Sequence, residues 1–544
     1  MKRETTIILC GGPINYTSLP IGTNQSNAMV PVNGKPVIGW ILDDLIAKGI
    51  RQATVVLREE DHPLRDFLDR IYARRMEIIL APTQASGSIV ASLQTGLQSA
   101  PVGGLVRVVL GDTLIRDSYR GNEDFVYVQR VRDSRRWCLA VPASDGHIIN
   151  YRDKVAQAPE PHLALCGYYH LQHSQHLAAC VQQSLQAGAR ELSDVLTRYG
   201  AAYPIYARPV ETWFDFGNID NLIEARRRLL QPRFFNTLTI DPVLNTITKV
   251  SSHDEKLKDE LRWYLDLPDE LTVLCPRIVA YHETNGQLHI VQEYYGYPTL
   301  AELYLYSDLH PDIWTSILRH LLLIHQQFKR FPAALEAEAV RAVYLDKTWK
   351  RLDLLRRQDP AWEALLERPM LVYNGTPLRN LSTLSSAIRE RVEALVQDAT
   401  ICIIHGDFCF SNILFDVQNQ IVRLIDPRGS FGKKGLYGDA RYDIAKLRHS
   451  ICGLYDYIIA DLFTLQEDQD GFSGQVYLNG TPQALGPTFD AMIAEMGYDL
   501  SDIRFIEGLL FISMVPLHHG HPDRQRMMYL TGLSLLNDVA ACAS

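Results

Sequence analysis

One short stretch in the second half of the chain constrains the fold more than any other feature. An apolar run at residues 401–404 predicts a strand that delivers Asp407 into a loop, and Asn412 follows five residues later. Two more predicted strands follow, and the second, at residues 421–425, ends on Asp426. Three oxygen-bearing side chains are therefore expected to leave the ends of adjacent short strands within one small volume.

This set of side chains suits phosphoryl transfer. A carboxylate orients and deprotonates the attacking hydroxyl, and hard oxygen ligands hold Mg²⁺ against the nucleotide phosphates. The spacing from His405 through Asp407 to Asn412 is close to that of the protein-kinase catalytic loop, and Asp426 stands where the kinase metal aspartate stands. The sequence therefore predicts an ATP-dependent phosphotransferase site in this stretch.

A family resemblance rests on these motifs and on a later one. His405-Gly406-Asp407 with Asn412, Ile425-Asp426, and Gly438-Asp439 with Asp443-Ile444-Ala445 resemble the aminoglycoside phosphotransferase and choline kinase superfamily. The resemblance implies a bilobal, protein-kinase-like α+β fold with ATP as the phosphoryl donor. It also implies that Asp407 is the catalytic base and that Asn412 and Asp426 bind Mg²⁺. Asp443 would then support the loop.

The same resemblance implies further contacts for nucleotide and acceptor. The nucleotide lysine of this fold lies on an early strand, so Lys249 is the candidate, with an ordinary surface lysine as the alternative. Its expected partner on the next helix is Glu260, with Glu255 as the second choice. Arg428 is a candidate contact for the acceptor or a phosphate, or else forms a structural salt bridge. Late helices are expected to line the acceptor pocket.

Strand and helix patterns alternate regularly near the start of the chain. Apolar runs predict strands at residues 6–10, 53–57, 76–80 and 106–110. Amphipathic patterns between them predict helices at residues 36–48, 62–74 and 88–99. This alternation predicts a doubly wound α/β sheet, in which ligands bind beyond the carboxyl ends of the strands. Gly11, Gly12 and Asp112 fall at two such ends.

Several motifs in this half resemble the sugar-phosphate nucleotidylyltransferase family, which has a glycosyltransferase-A-like fold. They are Leu9-Cys10-Gly11-Gly12, Val30-Pro31-Val32-Asn33-Gly34-Lys35-Pro36, Gln84 with Gly87-Ser88, Gly111-Asp112, Asp153-Lys154, Cys166-Gly167-Tyr168-Tyr169 and Trp213-Phe214-Asp215-Phe216-Gly217. The resemblance implies that a phosphate monoester attacks the α-phosphorus of an NTP and pyrophosphate leaves. It assigns the nucleotide to Gly11, Gly12, Gln84, Gly87 and Ser88, the sugar phosphate to Asp153, Lys154 and Gly167, and Mg²⁺ to Asp112 and Asp215.

Two positions depart from the family pattern. Tyr16 stands where the first nucleotide loop of the family has Arg, and Asn27 stands where the second signature has Lys. Both missing cations are expected to meet the triphosphate, and charge-assisted contacts of this kind are strong. Two interpretations follow: an active nucleotidyltransferase, or a degenerate, non-catalytic domain that binds a nucleotide or sugar.

Length and composition bound the number of domains and the compartment. A chain of 544 residues exceeds a single hydrophobic core, and the motifs divide it into residues 1–232 and 233–544, with kinase lobes at about 233–298 and 299–544. The net charge of −9 argues against a nucleic-acid partner, and no apolar run is long enough for membrane insertion. Nine scattered cysteines without a CxxC pair indicate reduced thiols, so we expect a cytoplasmic protein.

The two predicted domains carry out reactions that fit in series. A kinase would phosphorylate a sugar or small alcohol with ATP, and its neighbour would use CTP or UTP to convert the phosphate into an NDP-activated precursor, by analogy for surface polysaccharide. Two alternatives stay open: a kinase with a degenerate N-terminal domain, and a pair of the choline kinase and phosphocholine cytidylyltransferase type. The sequence does not identify the oligomeric state, and a homo-oligomer stays open as an alternative.

Overall fold

The chain folds into two compact units, Met1–Leu229 and Leu230–Ser544. The computed structural model describes residues 3–12, 26–84, 87–100, 103–118, 121–156, 160–217, 219–229, 236–252, 254–307, 309–469, 471–478 and 481–542. The predicted domain joint at residues 232 and 233 and the loop that carries Tyr16 lie outside the described residues.

The N-terminal unit alternates strands with helices. Its described strands are β1 (Arg3–Leu9), β2 (Pro31–Val32), β3 (Lys35–Pro36), β4 (Gln52–Arg58), β5 (Glu77–Thr83), β6 (Gly104–Leu110), β7 (Thr113–Ile115), β8 (Asp124–Arg130), β9 (Cys138–Pro142), β10 (Ile148–Asp153), β11 (Leu163–Leu171), β12 (Ile205–Pro209) and β13 (Trp213–Asp215). Its described α-helices are α1 (Val37–Ala47), α2 (His62–Phe67), α3 (Ile89–Ser99), α4 (Ser174–Gln186), α5 (Leu192–Gly200) and α6 (Ile219–Arg228).

Most of these strands form one mixed sheet. Strands β6, β1, β4 and β5 are parallel neighbours in that order, which confirms the α/β fold that the alternating pattern predicts. Strand β11 pairs antiparallel with β6 and extends the sheet towards β8, β9, β10 and β12. Leu9 and Leu110 are paired at the ends of β1 and β6, so Gly11, Gly12 and Asp112 share one edge of the sheet.

Helix α3 packs closely against the strands that lead to this edge. A Cβ on Gly96 would lie 2.6 Å from the Cγ2 of Ile7 and 2.9 Å from the Cγ2 of Val56, so only glycine permits this approach. Leu93 of the same helix is buried in the same core. The packing holds the N-terminus of α3, where the Ser88 hydroxyl accepts a hydrogen bond from a backbone N–H, beside the strand ends.

The C-terminal unit begins with strands and continues mainly with helices. Its described strands are β14 (Asn236–Asp241), β15 (Thr246–Ser251), β16 (Ile278–Thr284), β17 (Gln287–Glu293), β18 (Met370–Tyr373), β19 (Thr376–Arg379), β20 (Ile401–Ile403), β21 (Ile413–Asp416), β22 (Ile421–Leu424), β23 (Ser430–Phe431), β24 (Lys433–Lys434), β25 (Tyr437–Asp439), β26 (Phe463–Glu467) and β27 (Phe472–Val476). Its described α-helices are α7 (Asp254–Asp266), α8 (Asp269–Thr272), α9 (Leu300–Tyr306), α10 (Pro311–Lys329), α11 (Ala337–Arg341), α12 (Lys347–Gln358), α13 (Pro360–Glu367), α14 (Leu381–Gln397), α15 (Ala440–Ile451), α16 (Tyr455–Ile459), α17 (Thr481–Glu495), α18 (Leu500–Met514) and α19 (Pro522–Cys542).

The first part of this unit is a small antiparallel sheet with one helix against it. The strand order is β14, β15, β17, β16, and helix α7 connects β15 to β16. Leu257 and Leu261 of α7 are buried against Leu288 and Ile290 of β17. This packing fixes α7 relative to β15, and so places the two elements that carry Glu260 and Lys249 next to each other.

The loop with Asp407 lies between two small strand pairs in the helical part. Strand β20 leads into the loop and pairs with β25, whereas β21 and β22 form a hairpin after it. The prediction that adjacent strands deliver the site residues is therefore wrong in detail. The chain takes a left-handed turn at Gly406 (φ +77°) between the two pairs, and Asp426 lies two residues beyond the end of β22.

The sequence analysis also missed a second four-stranded sheet, in the order β19, β18, β27, β26. These strands mix exposed and half-buried positions, so they lack the strict apolar alternation from which a strand is predicted. Among the described helices, none combines the length and apolar character needed to cross a lipid bilayer.

Candidate active sites

Asp443 holds the backbone of the loop that carries Asp407. Its two carboxylate oxygens accept hydrogen bonds from the N–H groups of His405 (2.7 Å) and Gly406 (2.9 Å). A Cβ at position 406 would lie 2.8 Å from the Cβ of Arg428, and the positive φ also favours glycine there. Helix α15, which carries Asp443, therefore sets the position of the loop.

The Asp407 carboxylate contacts a lysine that the sequence analysis missed. Lys446 Nζ lies 2.8 Å from Asp407 Oδ1, and Asn412 Nδ2 donates to Asp407 Oδ2 at 2.9 Å. Burial alone would raise the pKa of Asp407, but the Lys446 ammonium, together with His405 and Arg428, lowers this pKa to about 2. The carboxylate is therefore ionised at neutral pH, as a group that orients a hydroxyl must be.

A helical spacing is the signal that could have identified Lys446. It follows Asp443 by three residues on α15, so both side chains lie on the same face of the helix. Asp443 faces the loop, and Lys446 is then directed to the same place. The burial of Lys446 also depends on its ion pair, since burial lowers the pKa of a lysine but Asp407 raises this one.

A second ion-pair group lies beside this loop. Lys249 Nζ contacts Glu260 Oε2 at 2.7 Å and Asp426 Oδ1 at 2.8 Å, whereas Glu255 pairs with Lys434 instead. Burial alone would lower the pKa of Lys249, but the two carboxylates raise it. Asp426 has a φ of +57°, a strained conformation for a residue with a side chain, and such strain is found at functional sites.

These groups line one cavity of about 410 Å³ in the C-terminal unit. Of the predicted site residues, Lys249, Glu260, Asp407, Asp426 and Arg428 are in its lining. Asn412 is buried and hydrogen-bonds the lining residue Asp407, and its backbone C=O accepts from the N–H of Ile425, which keeps it close to Asp426. The late helix α18 contributes Leu510, Ser513 and Met514 to the wall.

The N-terminal unit has its own cavity, of about 400 Å³, at the edge where β1 and β6 end. The predicted residues in its lining are Gly11, Gly12, Gly87, Ser88, Asp112 and Lys154. The lining also includes Arg190, an exposed cation at the start of α5 that the sequence analysis missed. Its position in the chain, far from the other motifs, gave no reason to single it out.

Four predicted residues of this unit are not in the cavity lining. Asp215 lies next to the lining residue Asp112. Gln84 is exposed, and its backbone C=O accepts a hydrogen bond from the N–H of Gly87 at 3.1 Å. Asp153 accepts a hydrogen bond from the Ser193 hydroxyl. Gly167 has a φ of +76°, and a Cβ there would lie 2.9 Å from Thr113 Oγ1. The strand contact thus requires glycine at position 167.

Asp112 and Asp215 form a pair of neighbouring carboxylates. A Cβ on Gly217 would lie 3.1 Å from Asp215 Oδ1 and 3.2 Å from Asp112 Oδ2, so both oxygens face the same small space. Burial, with the Asp112 charge in addition, raises the pKa of Asp215 to about 7, and burial raises that of Asp112 as well. A divalent cation between the two would favour the ionised forms, so this donor set fits Mg²⁺.

Asn27, the residue in place of the family lysine, belongs to the same site. It lines the cavity, and its side chain hydrogen-bonds the Asp112 carboxylate and so favours its ionised form. An amide therefore meets a carboxylate where a cation was expected. Within the part of the chain that the structure describes, no cluster of three or more His, Cys, Asp or Glu side chains could hold a metal ion.

Two known families match the chain, one in each unit. Residues 5–232 match the family described as nucleotidyl transferase, and residues 236–463 match the phosphotransferase enzyme family. Similar solved structures include a UDP-glucose pyrophosphorylase of Acinetobacter baumannii (15% identity, 41% of this chain and 92% of that chain, TM-score 0.36) and a CTP:phosphocholine cytidylyltransferase of Streptococcus pneumoniae (16%, 42% and 99%, TM-score 0.34). No curated protein matches the chain.

Proposed function

We propose that the two domains of this chain act in series on one small molecule. A nucleotidyl transferase domain comes first along the chain, and a phosphotransferase domain follows it. Both domains match transferase families. In our proposal the second domain converts X–OH and ATP into X–phosphate and ADP, and the first converts X–phosphate and a second NTP into NDP–X and pyrophosphate. The observation that supports this order is the presence of two separate cavities, each with carboxylates in its lining, since a kinase makes the phosphate monoester that a nucleotidyltransferase consumes.

The roles of the kinase residues follow from their contacts. The oxygen of the acceptor hydroxyl attacks the γ-phosphorus of ATP, the bond to the β-phosphate oxygen breaks, and ADP leaves. Asp407 orients the hydroxyl and accepts its proton, because Lys446 holds the carboxylate ionised. Asp426 and Asn412 would hold Mg²⁺, which neutralises charge on the reacting phosphates, and Lys249 would contact the phosphates of the nucleotide.

The N-terminal residues have roles that suit nucleotidyl transfer. Asp112 and Asp215 would hold Mg²⁺ at the α-phosphate of the NTP. The nucleotide itself would lie along Gly11, Gly12, Gln84, Gly87 and Ser88, and X–phosphate near Asp153, Lys154 and Gly167. Lys154 and Arg190 line the cavity and supply positive charge that the missing Arg and Lys of the family would otherwise supply.

For the identity of X we favour a sugar over an amino-alcohol such as choline, because the sugar-handling motifs of the family are present around Asp153 and Gly167. CTP or UTP is the proposed second nucleotide, and cytoplasmic synthesis of a surface-polysaccharide precursor is the proposed setting. The competing proposal, a kinase with a degenerate N-terminal domain, is favoured by one observation: Asn27 stands in place of the family lysine.

The test is product analysis with the full-length protein. ATP, all four NTPs and a panel of sugars, polyols and choline are incubated with the protein, and phosphorylated and nucleotide-linked products are identified by mass spectrometry. We expect NDP–X to form only when ATP and the second NTP are both present. Asp112→Asn should then accumulate X–phosphate, whereas Asp407→Asn should form NDP–X only from added X–phosphate. If no phosphate ester supports pyrophosphate release, the N-terminal domain is degenerate.

A further inference from the structure

The cavity around Asp407 carries more positive than negative charge. Six cationic side chains and four carboxylates line it. Every one of the four carboxylates has a cationic partner: Asp407 has Lys446, Asp426 and Glu260 have Lys249, and Asp259 has Lys434. Among the residues that the structure describes, by contrast, no carboxylate lies within 4.0 Å of the cationic atoms of Lys347, Arg351 and Arg428. We call these three side chains the cationic cluster.

Neutral groups hold the cationic cluster in place. Arg428 Nη1 donates to the Tyr442 hydroxyl at 2.8 Å, and Lys347 Nζ donates to the same oxygen at 3.3 Å. Arg351 Nη1 donates to the backbone carbonyl of Ser513 at 2.9 Å. Lys347 and Arg351 are four residues apart on α12, so they lie on one face of that helix. The three cations are thus directed into one wall of the cavity, and Asp407, the carboxylate whose charge acts on Lys347 and Arg428, is itself in contact with Lys446.

Placing like charges together in a half-buried wall is unfavourable by itself. Burial, and then the charges of Arg428 and Arg351, lower the pKa of Lys347 well below its ordinary value. Burial and Arg428 likewise lower the pKa of Arg351. An anion at this position would remove the repulsion and make charge-assisted hydrogen bonds, for which the guanidinium fork is well shaped.

From this arrangement we infer that the acceptor of the kinase is itself an anion, a hydroxyl compound whose carboxylate or phosphate group binds to the cationic cluster. The inference rests on the proposed kinase function and narrows X to acids or phosphate esters. A cation such as choline would lie beside the cationic cluster, and a neutral sugar would leave the cluster without a counter-ion. Both are therefore poorer acceptors.

The phosphates of ATP are the other anions that the cationic cluster could meet. They already have Lys249 and the proposed Mg²⁺ ligands Asp426 and Asn412. Lys347 and Arg351, in contrast, lie on α12, where Arg351 hydrogen-bonds Ser513 of α18 and Lys347 hydrogen-bonds Tyr442 of α15. Helix α18 also supplies the apolar wall of Leu510 and Met514, against which the carbon chain of an acceptor can pack.

The reaction itself is unchanged by the charge of the acceptor. Its hydroxyl oxygen forms the new bond to the γ-phosphorus, the hydroxyl proton passes to Asp407, and ADP departs with the electrons of the broken P–O bond. The anionic group of the acceptor takes no part in bond making. It fixes the distance between the cationic cluster and the hydroxyl, and so selects which hydroxyl reaches Asp407.

The first test measures binding to the full-length protein saturated with Mg·ADP. Glycerate, glucuronate, glycerol 3-phosphate and inorganic phosphate are titrated, with glycerol, glucose and choline as uncharged and cationic controls. We expect thermal stabilisation by at least one anion and by none of the controls. Arg351→Gln should weaken that binding at least tenfold, the typical loss for one charged hydrogen bond. Lys350→Gln, on the exposed face of the same helix, should not change it.

The second test measures turnover of the same anions and controls. It shows whether the anionic group of the acceptor is a carboxylate or a phosphate. Preference for acids identifies a carboxylate, and preference for glycerol 3-phosphate identifies a phosphate ester. With the accepted anion, Arg351→Gln should raise KM for the acceptor and leave KM for ATP unchanged. A rise in KM for ATP alone, turnover of glycerol or choline equal to that of the anions, or no anion binding would each overturn the inference. Failure of Mg·ADP to stabilise the wild type would instead refute the kinase function.

Discussion

Replacing Lys446 with methionine tests whether this lysine keeps the proposed catalytic base ionised. Lys446 Nζ lies 2.8 Å from Asp407 Oδ1, and its side chain is almost fully buried. Methionine has a similar length, and Lys446 already approaches the sulfur of Met514 at 3.9 Å, so an apolar thioether can be accommodated. The substitution therefore removes the charge while keeping most of the packing.

The size of the effect follows from the opposing influences of burial and of neighbouring charges on the pKa of Asp407. Burial raises its pKa, and the Lys446 ammonium, with smaller contributions from His405 and Arg428, lowers the pKa to about 2. Without the ammonium the burial remains, so the pKa should rise past the ordinary carboxyl value of about 4. With a pKa of about 2, more than about 99% of the carboxyl is ionised at pH 5, whereas with a pKa of about 5 only about half would be.

The assay is the pH dependence of kcat/KM for the acceptor between pH 4.5 and 9, at saturating Mg·ATP. The wild type should show no fall in kcat/KM that is caused by Asp407, because the protonated form appears only near pH 2. Lys446→Met should show a new acid limb between about pH 4 and 6. Lys446→Arg, which keeps the cation, should restore the wild-type profile.

A merely structural lysine would give a different result. Loss of stability or of packing lowers kcat/KM by the same factor at every pH at which the protein is folded, and thermal denaturation at each pH checks that it is. If the profile of Lys446→Met has the shape of the wild-type profile and differs only in height, Lys446 does not control the ionisation of Asp407.

Three other perturbations have defined outcomes. Asp426→Ala should weaken Mg²⁺-dependent thermal stabilisation by ATP as well as turnover, because it removes a metal ligand; unchanged titrations would refute that role. Mg²⁺ binding to the N-terminal unit should weaken as the pH falls through about 7, where protons compete for Asp215, and calorimetry at pH 6 and 8 checks this. Asn27→Lys should leave NTP affinity unchanged or lower it, because Asn27 already hydrogen-bonds Asp112; a clear gain, measured by equilibrium binding, would indicate a domain inactivated by that substitution.

The parts of the kinase site that the sequence predicted are those held by local structure. Asp407 and Asn412 are five residues apart in one loop, and Asp426 follows a hairpin that begins directly after that loop. Their proximity needs only two short turns of chain. The pairing of Lys249 with Glu260 is similar, because a strand and the next helix pack together through a small apolar core.

The parts that the sequence did not predict come from distant helices. Lys347 and Arg351 lie on α12, more than fifty residues before the loop, and look like any two charged residues on an amphipathic helix. The contacts of α12 with α18 and with Tyr442 of α15 direct them into the cavity. The cationic cluster therefore arises from tertiary packing, and no local sequence pattern predicts it.

The sequence also predicted only part of the N-terminal site, but for a different reason. Its glycines were predicted from motif resemblance, and at position 167 the structure adds a physical reason, because the positive φ and the close approach to Thr113 both favour glycine. The consequence of Asn27 was not predicted, because a motif comparison shows only that a lysine is missing. The structure shows what the replacement contacts, and that contact is the carboxylate of Asp112.

The two sites control the charge of their carboxylates by different means, and this difference has a functional consequence. In the kinase site Asp407 and Asp426 each contact a lysine ammonium, so they are ionised before any metal or nucleotide arrives. In the N-terminal site Asp112 and Asp215 receive amide hydrogen bonds from Asn27 and Asn221, and burial raises both pKa values. Amides lower a carboxylate pKa less than an ammonium does. The N-terminal reaction should therefore depend more steeply on divalent cation and pH than the kinase reaction of the same chain.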